Sequence, residues 1–486
     1  MASFKTENLS FTYPQRNKKA LDGVSLNISD GEFIVVMGKT GSGKSTLLKL
    51  LKKELAPFGN IEGSIDVSSS SIGFVPQNPD VTFVAQTVRS ELAFALENMK
   101  MASSDITVRI GEIASFFNLS DMLDRNISEL SGGERATVAI AGAMICDADA
   151  LILDEPLAQL DPKATSQIIS LLKRVNSELG VTVLISSHTS QGLADICDRI
   201  IIMDGGRIIF NESPDKMKYD DSSLDYLPVY TALFPERPLT VKEAIPLAEN
   251  LKEKPLLMPE KSDIAVRVKN ITFAYGKKER DILSNLSFKA YKGRVHAIIG
   301  ANGSGKTTFL KVAAGIKKPL AGSVKVSGEI AYLPQDPRFL FTSDTVGEEI
   351  DAKTAEVFGL NEYLDSHPYD LSGGQMQKLA LAMLSQTKFD VLLLDEPSRS
   401  LDVFAKRELK QYLKELALKG KTIIMVSHDL DFVGDTADYV SFLSDGVISV
   451  SGERRRVLSL LKFYTTQIRR ITKSCLDSAV SVEDLQ

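Results

Sequence analysis

The sequence predicts an α/β protein made of two related halves, each built around a parallel β-sheet. A glycine-rich loop between an apolar strand and a helical pattern occurs twice, at residues 38–46 and 300–308. A short apolar run that ends in two acids also occurs twice, at residues 151–155 and 391–396. Apolar runs of this length are typical of strands that are covered on both faces, as in parallel sheets.

Composition and charge narrow the class of protein. The chain has 486 residues, of which 43% are hydrophobic and 25% are charged, and its net charge is −6. This length predicts about two to four domains. The acidic balance is unlike the basic surface of proteins that bind nucleic-acid backbones, so we expect no nucleic-acid partner. Three scattered cysteines without a CxxC pair predict reduced thiols and no structural zinc.

The sequence predicts no membrane-embedded segment. The first residues contain no basic stretch followed by an apolar one, so we expect no secretory signal. Apolar runs elsewhere fall well short of the roughly 18 residues that read as a membrane span. Any role at a membrane is therefore expected to depend on a partner protein.

Five motifs occur in both halves in the same order, which marks an internal repeat. They are GxxxxGK[ST], a Pro-Gln-x-Pro segment, LSGG, an apolar strand ending in Asp-Glu-Pro, and Ser-His. The interval between the glutamine and LSGG is 17 residues shorter in the second copy. We expect helices around residues 91–101 and 106–117 in the first copy, and a shortened helical insert within residues 345–363 in the second.

Proline content predicts where the domains end. Residues 211–262 contain seven of the 18 prolines, a density that interrupts helices and strands. The predicted organisation is a first domain at 1–215, a connector at 216–262, a second domain at 263–450 and a basic tail at 451–486. In the tail, one apolar face of a helix is predicted from Val457, Leu460, Leu461, Tyr464, Ile468 and Ile471. We expect this helix to pack on its own domain, and the alternative is docking to an acidic partner or a membrane.

The glycine-rich loops predict phosphate binding. Glycine lets the backbone curl so that successive N–H groups face phosphate oxygens, and the following helix adds its positive end. Lys44 and Lys306 would add full charge at the β- and γ-phosphates, and the Ser45 and Thr307 hydroxyls would reach Mg²⁺. The other predicted loop residues are Gly38, Gly41, Ser42, Gly43 and Thr46 in the first copy and Gly300, Gly303, Ser304, Gly305 and Thr308 in the second.

The acidic pairs predict a metal-assisted reaction beside each loop. Both pairs end a buried strand, which is where ligands bind in parallel α/β sheets. We expect Asp154 and Asp395 to hold the Mg²⁺ shell. Glu155 and Glu396 are expected to orient and polarise the attacking water.

Two histidines and two glutamines complete the predicted sites. His188 and His428 each end a predicted strand about 33 residues after an acidic pair, and we interpret them as γ-phosphate sensors. Gln77 and Gln335, between a strand and the helical insert, can reach the metal or its water.

Together these motifs resemble the ATP-binding cassette superfamily over nearly the whole chain, twice. The resemblance implies two P-loop NTPase domains that bind and hydrolyse ATP with Mg²⁺. Each would have a RecA-like core, an antiparallel β subdomain and a helical subdomain, which is shortened in the second. It also implies that Tyr13 and Tyr275 stack on adenine, and that the halves pair head to tail, within one chain or between two. Each ATP would then meet the opposite signature, formed by Ser131, Gly132 and Gly133 or by Ser372, Gly373 and Gly374.

A narrower resemblance is to the ATPase subunits of energy-coupling factor importers, which take up vitamins or metal ions. It is carried by residues 76–80, 83, 87–88, 93–98, 156–162 and 227–244. It implies an integral-membrane coupling subunit, a substrate-binding membrane subunit and a peripheral place on the cytoplasmic face of the membrane. Arg89 follows Thr87-Val88 where that family tends to have acids, and the short second insert departs from symmetrical docking.

Two other functions stay open from the sequence. One is the fused ATPase of a different importer, such as a sugar transporter. The other is a tandem cassette protein that acts on ribosomes or nucleic acid. Relatives of that second kind are expected to carry a charged helical linker or a metal-cluster domain, whereas this chain has a proline-rich connector and few cysteines.

Overall fold

The computed structural model describes residues 2–14, 18–158, 160–256, 262–276, 280–399 and 401–486. The chain divides into two compact units, Met1–Thr240 and Val241–Gln486. The segment predicted as the connector is thus divided between them. Residues 156–162 are one of the segments that resemble the energy-coupling factor ATPases, and Gln159 within it lies outside the described residues.

The described residues of the first unit form two sheets. One is antiparallel with strand order β2-β1-β4, and the other has order β5-β6-β7-β3-β8-β9, parallel except for the β8–β9 pair. The strands are β1 (Ser3–Thr12), β2 (Leu21–Ile28), β3 (Phe33–Gly38), β4 (Asn60–Ser68), β5 (Ile72–Val75), β6 (Ala150–Leu153), β7 (Thr182–Ser187), β8 (Arg199–Asp204) and β9 (Arg207–Glu212). The helices are α1 (Lys44–Leu50), α2 (Val88–Asn98), α3 (Ser103–Phe116), α4 (Gly132–Met144) and α5 (Pro162–Leu179).

The described residues of the second unit repeat this topology strand for strand. The sheet orders are β11-β10-β13 and β14-β15-β16-β12-β17-β18. The strands are β10 (Ile264–Phe273), β11 (Leu283–Tyr291), β12 (Val295–Ile299), β13 (Ala321–Val326), β14 (Ile330–Leu333), β15 (Val391–Asp395), β16 (Thr422–Val426), β17 (Tyr439–Ser444) and β18 (Val447–Glu453). The helices are α6 (Val241–Leu247), α7 (Lys306–Ala313), α8 (Val346–Glu349), α9 (Ala352–Phe358), α10 (Gly373–Ser385), α11 (Val403–Leu418), α12 (Leu430–Thr436), α13 (Arg454–Leu460) and α14 (Gln467–Thr472).

Strand β15 shows why the strand that precedes each acidic pair is apolar at every position. Successive side chains of a strand leave opposite faces of the sheet. Leu392 and Leu394 join a core cluster with α11 and α12, whereas Val391 and Leu393 join another with α7 and the antiparallel sheet. Both faces are covered, so each position is apolar until Asp395. The predicted α/β fold with two P-loop domains is therefore confirmed.

The helical inserts differ between the units as predicted. In the first unit, α2 and α3 occupy the interval before α4, and the Thr87 hydroxyl caps α2 by accepting from the Ser90 N–H. In the second unit, the shorter α8 and α9 occupy it, and Asp351 caps α9. Among the described residues, no helix combines the length and apolar composition needed to cross a membrane.

The basic tail forms two short helices, α13 and α14, where one amphipathic helix was predicted. The backbone turns extended at Leu461, and Leu460, assigned to the apolar face, is 64% exposed. The break lets α14 pack against α6, with Ile468 buried. It also lets Gln467 donate to Asp431 of α12 from its backbone N–H at 2.7 Å and its side-chain amide at 2.9 Å. A straight helix would carry these groups away from α12.

Replacing Asp431 by Asn is expected to flatten the pH dependence of stability between about pH 4 and pH 6. Burial raises the pKa of Asp431 to about 6 from an ordinary 3.8. The folded state therefore holds this proton more tightly than the unfolded chain, and stability falls as the pH rises through that window. Asparagine does not titrate, so this contribution disappears.

Melting temperatures measured from about pH 4 to about pH 7 test this prediction. The exposed Asp445→Asn serves as the matched control and should keep the wild-type slope. A wild-type slope in Asp431→Asn would contradict the prediction.

Candidate functional site

Each glycine-rich loop joins the central strand of the six-stranded sheet to a helix. In the first unit it runs from Gly38 at the end of β3 to Gly43, which caps α1 with φ 100°. Gly300 and Gly305 hold the corresponding places before α7, where Gly305 has φ 99°. At Gly38, a Cβ would lie 2.3 Å from the Met203 carbonyl oxygen. Only glycine permits the strand to turn this close to its neighbour.

The two loop lysines are buried and point back over their own loops. Lys44 donates to the carbonyl oxygens of Gly38 at 2.9 Å and Lys39 at 3.2 Å. Lys306 donates to those of Gly300 and Ala301, each at 3.0 Å. In each loop, the lysine ammonium and the backbone N–H groups of the loop are hydrogen-bond donors that lie close together. An anion with several acceptor oxygens, such as a phosphate group, is suited to bind them.

Two loop serines have hydroxyls with no hydrogen-bond partner. Ser42 and Ser304 are 3% and 8% exposed, and the Oγ atom of each is buried and unpaired. Buried polar atoms normally have partners. These orphaned donors, in the same loop position of both units, fit a phosphate oxygen.

Asp154, which follows β6, and Asp395, which ends β15, lie beside the helix that follows each loop. Asp395 Oδ1 accepts from Thr307 Oγ1 at 3.1 Å, and Asp154 accepts a hydrogen bond from Ser45. Burial raises the pKa of Asp154, and raises the pKa of Asp395 to about 6. A buried carboxylate beside a hydroxyl supplies the oxygen ligands that Mg²⁺ prefers. Both sites therefore fit this ion.

In the first unit the next acid, Glu155, contacts three predicted site residues. Its Oε1 lies 2.8 Å from His188 Nε2 and 3.8 Å from Lys44 Nζ. Its Oε2 accepts from Gln77 Nε2 at 2.8 Å. Glu155 has φ 50° and is 9% exposed. The structure thus brings the predicted base, sensor, lysine and glutamine together.

In the second unit Glu396 repeats the histidine contact with the other ring nitrogen. His428 Nδ1 lies 2.8 Å from Glu396 Oε2, which also accepts the His428 N–H at 3.2 Å. Burial alone would lower the pKa of His428, but the Glu396 carboxylate outweighs it and raises that pKa. Among the described residues no hydrogen bond joins Gln335 to Glu396, and Gln335 is exposed. The glutamine contact is therefore specific to the first unit.

The predicted adenine-stacking tyrosines lie next to the loops. Tyr13 OH is 3.1 Å from Thr46 Oγ1, and Tyr275 OH is 3.3 Å from Thr308 Oγ1. Each ring is held edge-on by the phenylalanine two residues earlier, with centroids 4.9 Å and 5.1 Å apart. This leaves a partly exposed aromatic face beside each loop.

The two LSGG segments begin helices α4 and α10. Ser131 and Ser372 are the N-caps, each in a reciprocal capping box with the third helical residue, Glu134 or Gln375. Glutamate and glutamine serve equally here because both accept from the serine N–H. The next two residues, Gly132 and Gly133 or Gly373 and Gly374, form the first turn of each helix.

Sequence reasoning missed two hydroxyls that contact the aspartates. Ser186 Oγ donates to Asp154 Oδ1 at 2.8 Å, and Tyr332 OH donates to Asp395 Oδ2 at 3.5 Å. The sequence offers one signal for them. At two equivalent positions of the repeat, one copy has a hydroxyl and the other does not: Tyr332 corresponds to Phe74, and Ser186 corresponds to Val426.

Comparison with known proteins agrees with this arrangement. The ABC transporter family model matches residues 21–158 and 283–399, which include both loops and both acidic pairs. A Bacillus anthracis protein described as an ABC transporter ATP-binding protein is 35% identical over 100% of this chain and 98% of its own length. A Clostridium tetani protein of the same description is 32% identical over 79% of this chain and 95% of its own.

Solved structures share the fold. The archaeal ribosome recycling factor aABCE1, solved with ribosomal stalk protein aP1, has a TM-score of 0.63 and 22% identity over 93% of this chain and 91% of its own. A structure of RNase-L Inhibitor has a TM-score of 0.62 and 22% identity over 96% and 93%. At this identity the likeness concerns the fold alone. With two family matches and relatives aligned along its whole length, the chain belongs to the ABC transporter family and is an ABC ATPase with two cassettes in one polypeptide.

Proposed function

We propose that this chain hydrolyses ATP at both of its sites and thereby energises a transporter in a membrane. The observation that carries the hydrolysis proposal is the repeated contact between a buried glutamate and a histidine at 2.8 Å, beside a loop lysine and an aspartate–hydroxyl pair. The two units therefore carry equivalent chemical groups, and neither lacks a predicted catalytic residue.

The proposed roles follow from the contacts. Asp154 with Ser45, and Asp395 with Thr307, would hold Mg²⁺, which neutralises charge on the transferring phosphoryl group when bound. Glu155 would accept a proton from the attacking water through its buried carboxylate. His188 holds the Glu155 carboxylate from one side, which fixes its orientation toward the loop.

The first site requires a rearrangement before it can act. Lys44 and Gln77 both contact Glu155, so two donors compete for the oxygens that must orient water. A phosphate group bound at the loop would offer Lys44 a stronger acceptor than its own backbone carbonyls. Lys44 would then release the carboxylate for its catalytic role.

The transport part of the proposal is supported by the relatives that match full length and are described as ABC transporter ATP-binding proteins. The finer proposal, an energy-coupling factor importer of a vitamin or metal ion, is supported by the sequence resemblance in segments such as 76–80 and 227–244. It requires an integral-membrane coupling subunit and a substrate-binding membrane subunit.

Purification of the tagged chain from detergent-solubilised membranes tests the transport proposal. We expect a small hydrophobic integral-membrane subunit to co-purify, and the ATP hydrolysis rate to change when that subunit is removed. Recovery of ribosomal proteins without a membrane subunit would contradict transport and favour the ribosome-associated alternative.

Replacing Tyr13 by Ala is expected to weaken ATP binding at the first site by about tenfold, because base–aromatic stacking contributes roughly 1–3 kcal/mol. Replacing it by Phe keeps the ring and should retain most of the affinity. The Lys306→Ala background restricts a fluorescent ATP titration to this site. Inorganic tripolyphosphate is the control ligand, since it has no base and should bind Tyr13→Ala and wild type alike. Equal ATP affinity in both Tyr13 variants would contradict the stacking role.

A further inference from the structure

The buried aspartates Asp154 and Asp395 each accept a hydrogen bond from a hydroxyl group on a neighbouring strand, and that strand differs between the two units. In the first, the donor is Ser186 on β7, 2.8 Å from Asp154. In the second, it is Tyr332 on β14, 3.5 Å from Asp395. Strands β7 and β14 do not correspond in the repeat, since β14 is the counterpart of β5.

The sheet register shows that the two donors approach equivalent aspartates from opposite sides. Val426 pairs with Asp395 across β16 and β15, so it holds the place that Ser186 has beside Asp154. Tyr332 pairs with Leu393 on the other side of β15, and Phe74 pairs with Ile152 in the same way. Each of these two partners lies two residues before its aspartate.

The aspartate and the side chains around it project from the same face of the sheet. Side chains two residues apart on a strand share a face, so Asp395 emerges with Leu393. Val426, Leu393 and the ring of Tyr332 belong to a single core cluster, as Leu184, Ile152 and the ring of Phe74 do in the first unit. A hydroxyl added at Phe74 or at Val426 would therefore point toward the aspartate of its own unit.

A donor to the aspartate matters because the carboxylate is buried. Asp154 is 5% exposed and Asp395 is 1% exposed. A second donor holds the carboxylate in one orientation, as hydrogen-bond partners of metal ligands commonly do. Phe74 and Val426 offer no such donor.

We propose that Ser186 and Tyr332 are positioning residues with the same role, orienting the magnesium-binding aspartate of their own site from non-equivalent strands. The proposal rests on the proposed Mg²⁺–ATP binding and adds to it which residues set the metal affinity of each site. It also means that the hydroxyl can be moved between strands without loss of function.

Binding measured with and without metal tests the proposal in the full chain. The second site is isolated in a Lys44→Ala background, and a fluorescent ATP analogue is titrated in Mg²⁺ and in EDTA. Tyr332→Phe should reduce the Mg²⁺-dependent gain in affinity by about tenfold, as loss of a hydrogen-bond partner to a metal ligand does. Affinity in EDTA should stay unchanged. Adding Val426→Ser to Tyr332→Phe should restore the gain, and Val426→Thr provides a second rescue of nearly the same shape as valine.

The first site gives the reciprocal experiment in a Lys306→Ala background. Ser186 Oγ also accepts the Glu155 N–H at 2.7 Å, so Ser186→Ala removes this contact as well as the one to Asp154. Ser186→Ala should lose the Mg²⁺-dependent gain, and adding Phe74→Tyr should restore it by replacing the donor to Asp154. Melting curves confirm that each variant is folded.

Each result bears on one claim. Failure of the parent backgrounds to bind better in Mg²⁺ than in EDTA would contradict the proposed function. If they do bind better, an unchanged gain in Tyr332→Phe and Ser186→Ala, an equal loss in EDTA, or loss without rescue would overturn the positioning role.

Discussion

Replacing Glu155 and Glu396 together by Gln is expected to lower the rate of ATP hydrolysis by about 10²- to 10⁴-fold, the usual contribution of a positioned general base. Both carboxylates are buried and lie 2.8 Å from a histidine nitrogen. Glutamine keeps the size and the hydrogen-bonding oxygen but cannot accept a proton from water. The protein should therefore still bind ATP while it loses turnover.

Single substitutions measure how much each site contributes to the total rate of ATP hydrolysis. Glu155→Gln and Glu396→Gln should each lower the rate of phosphate release in a steady-state assay, because each removes the base of one site. Glu329→Gln, at an exposed position in the second unit, is the matched control and should leave the rate unchanged. If one of the two site substitutions has no effect, that site does not contribute to hydrolysis.

Replacing Gly38 by Ala is expected to destabilise the first unit by at least about 3 kcal/mol, from overpacking together with backbone strain. The new Cβ would meet the Met203 carbonyl oxygen at 2.3 Å and the Ser42 Oγ at 2.5 Å. The first of these is backbone of the neighbouring strand and cannot rotate away. Nucleotide binding at this loop should be lost with the loop conformation.

Gly41 provides the matched control within the same loop. It also has a positive φ, 79°, but a Cβ there would have no atom within 4 Å. Gly41→Ala should therefore carry only the backbone cost, about 1–2 kcal/mol. Thermal unfolding without nucleotide compares the two variants, and equal shifts in melting temperature would contradict the steric argument. Gly300→Ala should behave like Gly38→Ala, because its Cβ would lie 2.1 Å from the Leu443 carbonyl oxygen.

The sequence predicted the fold because its local signals agree with one another. The apolar run before Asp395 is buried on both faces of the sheet, and the loop glycines have the positive φ that a tight strand-to-helix turn requires. The 17-residue difference between the copies predicted the shorter helices α8 and α9. The tail was predicted less well, since the extended backbone at Leu461 depends on contacts of Gln467 with Asp431.

The sequence by itself determined which residue types recur at which spacing, and so the two domains, the two loops and the acid that ends each strand. Only the tertiary structure decided that Gln77 contacts Glu155 while Gln335 stays exposed, and that the hydroxyl beside the aspartate comes from Ser186 in one unit and Tyr332 in the other. The physical reason is that spacing along the chain specifies a residue's place on its own strand. Contacts between strands depend on register and on which face each side chain leaves, and both are set by the packing of the whole sheet.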